Sequence, residues 1–468
     1  MVSGGGGTLM RGVQLTALLD NSPEGVTETL DVVNGFDNAL VDGFARVSER
    51  QTAALTALAG SVAGSPLAAP VAEAAAKLGT GAIGADQLSA LAAARAALLG
   101  AVHDALVAQV DTALGRNRSE WASSSADLAP SPLAVGSRAW LGELAIAGWR
   151  GVDHDLVAAA DQTVEALLNE PALRRLAVLM DGFTAELGAS SPIATMDRIP
   201  ARRWADLWTR ALLLSWRGPE STAPETVSGR LLPLGVDVHE HGTAVQAQVY
   251  GVLESANAPA RRVRASVSAA KVDTIVGPAI WQLLSAHPQL LSALAEHRAL
   301  ELTDMPLAAT GDLVWHDARA KAGEAADPFV TATVLLHQAQ APATAPLDRD
   351  PVHIAEPVLL EGYRFRDGAM ELDGHLLPVE LDALPSSGPL TRVAVTNSSA
   401  MIALLRWDAA GWSVRPLAVQ RKVKGAITGI HGGDWALGPT DPKIAKAQAK
   451  SGDAVAVLRE RAGRLLRK

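Results

Sequence analysis

The chain has 468 residues, a formal net charge of −9 at pH 7 and no cysteine, which excludes disulfides, thiolate nucleophiles, iron–sulfur clusters and every Cys-based zinc site. Hydrophobic residues make up 48% and charged residues 19%, the balance of a globular chain rather than a disordered one. Length alone suggests about three domains of roughly 150 residues.

The segment Met1–Met10 lacks the apolar core of a signal peptide. The Ala-rich stretch from Ala53 to Leu99 is interrupted by Gly60, Gly64, Pro66, Pro70, Lys77 and Gly79. It falls short of the ~20 uninterrupted apolar residues that a membrane helix needs. The expectation is a soluble, cytoplasmic protein.

Residues 1–217 read as an all-α helical bundle. Phe36, Leu40, Phe44, Val47, Leu55, Leu58 and Val62 recur in steps of three and four, with Gln51 filling the one gap. Asp86 is placed to N-cap a long Ala-rich helix reaching Leu114, with Leu88, Leu91, Leu98, Leu99, Val102 and Leu106 as its seam. Helices are also expected around 140–149 and 152–168. Another carries Leu173, Leu176, Met180, Phe183 and Leu187 after Pro171. Pro200 opens the last one, whose inward face holds Trp204, Leu207, Trp208, Ala211 and Leu214. Six or so amphipathic helices on short loops make a bundle.

Residues 217–229 have linker composition. After them the apolar period changes from 3.6 to 2, and residues 228–337 read as an α+β domain. Leu231–His239 and Ala244–Leu253 form a hairpin, and Arg262–Val267 alternates as an edge strand would. A helix from Pro278 through Leu294 precedes strands near 298–302, 312–315 and 329–337. A second, Pro/Ala-rich linker spans 338–346. Residues 350–468 then read as a small antiparallel β domain with a C-terminal basic helix. Asp367-Gly368 and Asp373-Gly374 are preferred two-residue hairpin turns, and a third hairpin turns at 408–411.

The search for chemistry returns few patterns. Gly79–Gly84 matches G-x-G-x-x-G, but the preceding segment is helical rather than β, so a glycine-rich elbow between helices accounts for it. Asp237, His239 and His241 project from one face if their strand runs through His241, and two imidazoles with a carboxylate then offer a zinc-type site with an open position. Gly242-Thr243 follows at once, so a hairpin tip there would break the alternation. In Trp315-His316-Asp317, neighbours face opposite ways, and a strand-end histidine is the simpler reading. Gly429-Ile-His-Gly-Gly-Asp-Trp435 is a loop leading to the C-terminal helix, anchored by Trp435. No G-x-S-x-G elbow, G-x-x-x-x-G-K-[ST] loop, H-E-x-x-H or Ca²⁺-loop pattern occurs. No catalytic residue and no cofactor is assigned from the sequence.

Trp208 and Trp216, with Arg202 and Arg203, are candidate interface residues, because Trp and Arg are frequent anchors. From Arg406 onward there are 13 Lys and Arg against 5 Asp and Glu, a net of +8 on an otherwise acidic chain. Arg459, Arg461, Arg464, Arg467 and Lys468 form a basic tail. Trp407 and Trp412 flank the third hairpin turn as a cross-strand pair. An aromatic pair among basic residues is also what a nucleic-acid-binding barrel would carry.

The segment Pro200–Trp216, in a helical block ahead of a β-rich end, resembles uncharacterised actinobacterial proteins found beside MoxR-type AAA+ ATPases, VWA-domain proteins and SWIM zinc-finger proteins. The resemblance covers those seventeen residues and the general layout. It implies a protein partner in an ATPase-driven assembly, such as an AAA+ ATPase or VWA-domain protein. The expected function is a non-enzymatic scaffold or adaptor mediating protein–protein interaction. The alternatives are a metal-dependent enzyme using the Asp-x-His-x-His cluster and a nucleic-acid binder using the basic C-terminal region.

Overall fold

The computed structural model describes residues 9–10, 12–20, 22–81, 83–118, 121, 131–216, 224–256, 258–342, 344, 347, 349, 352–408, 411–450 and 454–465. A helical region comes first, and a sheet-rich region follows.

Among the described residues a short strand, β1 (Leu9–Met10), precedes ten helices: α1 (Gly12–Leu19), α2 (Val26–Asp42), α3 (Glu49–Ser61), α4 (Ala68–Gly79), α5 (Ala85–Leu114), α6 (Val135–Ala147), α7 (His154–Ala158), α8 (Asp161–Leu168), α9 (Arg174–Ala189) and α10 (Ala201–Trp216). The apolar stripe from Phe36 to Val62 is split between α2 and α3. Ser48 starts α3 with a capping box shared with Gln51. The buried Gln51 amide then donates to Ala39 O (3.0 Å) and Gly43 O (2.7 Å), so the apparent gap ties the two helices together. Helix α5 ends at Leu114 as expected. Its N-cap is Gly84 rather than Asp86, which lies in the first turn. It is long and apolar enough to cross a membrane by length and composition, yet half of that stretch is buried inside the protein. The G-x-G-x-x-G segment is the elbow between α4 and α5, although residue 82 lies outside the described residues.

The sheet-rich region opens with β2 (Glu225–Glu240), β3 (Ala244–Ser255) and β4 (Ala258–Ala270). Helices α11 (Ile280–Leu283) and α12 (Pro288–Glu296) precede β5 (Arg298–Leu307), β6 (Asp312–Leu313) and β7 (Ala320–Ala325). The pairings β2–β3–β4–β6–β5–β2 close into a ring, with β7 added on β5. Strand β4 is therefore not a bare edge, although β6 covers it at only Arg264 and Ala265. The expected strand at 329–337 is instead helix α13 (Pro328–Val334). Asp327 caps it by accepting from Phe329 N (2.7 Å), and Pro328 sits in its first turn. This start signal outweighs the β-branched content.

After it come β8 (Ile354–Glu361), β9 (Arg364–Arg366), β10 (Ala369–Leu372), β11 (His375–Pro378), α14 (Arg392–Thr396), β12 (Ala400–Asp408), β13 (Gly411–Val423), β14 (Ala426–His431), α15 (Pro442–Lys450) and α16 (Ala454–Leu465). Both Asp-Gly turns form as read, with Asp367, Gly368, Asp373 and Gly374 all at positive φ. Trp407 faces Trp412 across the third hairpin.

In the five-stranded sheet β1-β8-β12-β13-β14, the central strands β8 and β12 are buried on both faces. Val358, Leu360, Met401, Ala403 and Leu405 join the core of the helical region. Leu359, Ile402, Leu404 and Leu417 pack against Leu234, Val252 and Phe329 of the ring side. The continuous apolar run Ala400–Leu405 is the sequence mark of such a strand. The expected boundary at residue 217 is not a boundary of the core. The chain's own start crosses it as well, because β1 pairs parallel with β8. Helices α15 and α16 contribute Ile444, Val455 and Leu458 to the ring's core rather than to the five-stranded sheet.

Candidate functional site

Three segments of different origin meet where α5 ends. Gly115, left-handed at φ 60°, stops the helix, and Arg116 and Arg118 follow. On β4, Val263 and Ala265 enter the ring's core, so the alternation turns Arg262 and Arg264 to the opposite face. On β8, Glu356 lies between Ile354 and Val358, whose side chains enter the helical core.

Glu356 is the hub. Its carboxylate accepts from Arg118 Nη2 at 2.7 Å and from Arg262 Nη1, and Arg116 Nη1 lies 3.6 Å away. Burial alone would raise the Glu356 pKa, but the fields of Arg262, Arg118 and Arg116 hold it down to about 2. Arg116 is fully enclosed, and burial, reinforced by Arg262, lowers its pKa to about 9. Its Nη2 donates to Pro357 O, while Nε and Nη1 have no hydrogen-bond partner.

The side-on edge of a guanidinium, Nε with Nη2, is the fork that grips a carboxylate with two parallel hydrogen bonds. Arg95 fills it with Asp37 (2.6 and 3.1 Å), Arg118 with Asp111 (2.7 and 3.2 Å) and Arg264 with Asp312 (2.6 and 3.0 Å). Arg262 is only 6% exposed, and both nitrogens of this edge are buried without a partner. Such donors cost free energy on the order of 1–3 kcal/mol each when left unmade.

Arg262 lines a cavity of about 460 Å³ together with Arg118, Arg264, Arg349 and Glu356. Arg349 is paired with Asp104 and donates from Nε to Thr344 O at 2.7 Å. Val107, Trp121, Pro342, Ile354 and Pro357 supply apolar wall, and Tyr250 lies on the ring side. The size and the mixture of apolar wall with a few charged groups suit a small organic molecule.

The residues singled out in the sequence lie elsewhere. Asp237 is buried and taken by Arg415 Nε (2.7 Å) and His239 Nε2 (3.1 Å). Strand β2 ends at Glu240, so His241 stands beyond it at the exposed hairpin tip. The three expected ligands do not converge. Among the described residues, no three His, Asp or Glu side chains gather to hold a metal ion.

Trp208 is 0% exposed, and its Nε1 donates to Leu141 O at 2.9 Å, so it is a core residue and not an interface anchor. Trp216 is half-buried. It donates to Ser89 Oγ, and Arg138 lies 4.3 Å over its ring. Arg203 is exposed and pairs with Glu186, whereas Arg202 is half-buried and burial lowers its pKa.

Trp407 and Trp412 are buried in the helical-side core, so they offer no stacking platform. Arg406 and Arg415 are engaged by Glu380 and Asp237. In the basic tail Arg461 is exposed. Arg459 and Arg464 lie on α16, with side chains outside the described residues, and Arg467 and Lys468 fall outside them altogether.

Asp317 is a helix cap: it accepts from Gln289 N and Leu290 N at the start of α12, leaving His316 exposed. In the glycine-rich loop Trp435 is buried as read. His431 there packs against His297, with ring centroids 4.2 Å apart and the rings tilted, and Asp434 accepts from His297 Nε2 at 2.8 Å.

The Arg262–Glu356 cluster was missed in the sequence because its members lie in segments far apart in the chain. The one local signal was Arg-x-Arg on a strand whose alternate residues are apolar. No family model, curated protein or solved structure matches the chain.

Proposed function

We propose that the protein is a binding protein for an anionic small molecule, held in the cavity between the end of α5, β4 and β8. The observation that carries this reading is Arg262, which lines that cavity and is buried with Nε and Nη2 unpartnered. A ligand anion would supply the acceptor that Asp37, Asp111 and Asp312 supply to other arginines. We further place the ligand where the helical region, the ring and the five-stranded sheet meet, and assign it no catalytic step.

The test is thermal unfolding at fixed ionic strength with acetate, benzoate and inorganic phosphate as probes. A ligand of the folded state alone raises stability by about 2.7 kcal/mol at a hundred times its Kd. The expected result is a saturable rise in Tm with at least one anion. A flat response to all three would sink the reading.

An adaptor role is the second reading. Lys422 and Lys424 are exposed on the β13–β14 arm, and Ile427 beside them is 70% exposed. These residues, rather than Trp208, would meet a protein partner such as an AAA+ ATPase or VWA-domain protein. Replacing Ile427 by Glu should then abolish co-purification of that partner, and unchanged co-purification removes this reading.

A further inference from the structure

The charges around the cavity narrow the ligand. At the hub, Arg116, Arg118 and Arg262 face two carboxylates, Glu356 and Asp111. The adjoining pairs, Arg264 with Asp312 and Arg349 with Asp104, are each neutral. Among the described residues one positive charge is therefore left over, beside the buried Arg116 and Arg262, where an unpaired charge is costly. A ligand carrying one negative charge would neutralise it, and a dianion would overshoot.

The free edge of Arg262 is flat and two-pronged, which matches the two coplanar oxygens of a carboxylate. The same cavity is also lined by the apolar Val107, Ile354, Pro342 and Pro357, and Trp121 on its lining is 41% exposed. An apolar body therefore fits behind the charged head.

We propose that the ligand is a monocarboxylic acid with an apolar body, bound as its carboxylate on the Arg262 fork with its body against Trp121 and Ile354. This rests on the anion-binding reading above and specifies the anion. Inorganic phosphate and phosphate monoesters carry about two charges near neutral pH and a tetrahedral head, so both charge and shape disfavour them here.

The full-length chain should be titrated calorimetrically at pH 7.5 with octanoate, octyl phosphate and octan-1-ol, which share one tail and differ in the head. Octanoate should bind at one site per chain, with octyl phosphate and octanol at least tenfold weaker. Arg262→Lys keeps the charge but loses the fork, and should weaken octanoate at least tenfold. Trp121→Ala should weaken it several-fold while leaving the far-ultraviolet circular dichroism and Tm of the free protein unchanged.

Tighter binding of octyl phosphate, abolished in Arg262→Lys, would overturn the carboxylate assignment and leave the anion-binding reading standing. Equal binding of octanol, or octanoate binding indifferent to both substitutions, would overturn the assignment of this site. No binding by any of the three, with a flat response to the smaller anions, would remove both proposals together.

Discussion

Burial sets the behaviour of single titratable side chains here, and His431 shows it in measurable form. Burial, reinforced by the neighbouring His297, lowers its pKa to about 4. Asp434 and Asp327 oppose this in part, and Phe329 packs edge-on against the ring. The unfolded chain takes up this proton near pH 6.5 and the folded chain only near pH 4, so acidification between those values favours unfolding. The stability is present above pH 6.5 and disappears as pH falls toward 4.

His297 acts in the opposite sense. Its hydrogen bond to Asp434 raises its pKa, so its contribution is full below pH 6.5 and is lost as pH rises through the folded value. Glu356 holds its contribution above pH 4.5 and loses it toward pH 2. Between pH 7.5 and 5.0 the His431 effect alone should therefore remove about 2 kcal/mol of unfolding free energy. Urea titrations at the two pH values should show a larger drop in the wild type than in His431→Gln, the difference being the His431 contribution net of the opposing His297 effect common to both; equal drops would contradict the assignment. None of this was legible in the sequence. By sequence His431 belongs to a glycine-rich crossing, and His297, against which it packs, lies far from it in the chain.

At the scale of elements, helix ends do much of the positioning. Helix α2 stops at Gly43 (φ 73°) and α6 at Gly148 (φ 70°). The two glycines touch: a Cβ on either would lie 2.3 Å from the backbone nitrogen of the other. Phe44 N then donates to Ala145 O (2.9 Å) and Ala45 N to Ile146 O (3.0 Å), locking the two chain reversals together. Gly148→Ala meets both a strained φ and backbone atoms that cannot yield, and should cost about 2 kcal/mol or more. Gly100, inside α5, has open space around it and ordinary helical backbone. Gly100→Ala should instead add about 0.5–1 kcal/mol. Chemical denaturation of the two variants checks the contrast, and equal effects would show that the crossing tolerates a side chain.

Elements whose signals are local were legible. The Asp-Gly hairpins, the end of α5 at Leu114 and the Trp407–Trp412 pair all formed where their residues placed them. The errors arose where one local signal overrode another, as the Asp327-Pro328 start did for α13. They arose also where a strand ended one residue too soon, as β2 did before His241.

For the whole molecule, the sequence marked linkers, and the core ignores them. Residues 217–229 and 338–346 look like boundaries by composition, yet β1 joins the sheet of residues 354–431, and that sheet's inner face completes the helical core. Linker composition reports where the chain lacks apolar periodicity, and it does not report which surfaces find one another later.

The consequence is testable. Leu15, Trp208 and Phe36 belong to one cluster with Leu360, Met401, Leu405 and Trp407. A fragment ending at residue 217 would leave its face toward that sheet open to water, at roughly 25 cal/mol for each Å² of apolar surface exposed. Expressed alone, residues 1–217 should retain helical circular dichroism, bind a hydrophobic dye and lack a cooperative melt. In the full chain, far-ultraviolet dichroism and tryptophan fluorescence should report one coincident transition for helices and sheet. A fragment that melts cooperatively within a few degrees of the full chain would mean that the helical region stands alone, and that the sheet seals it without being needed to hold it.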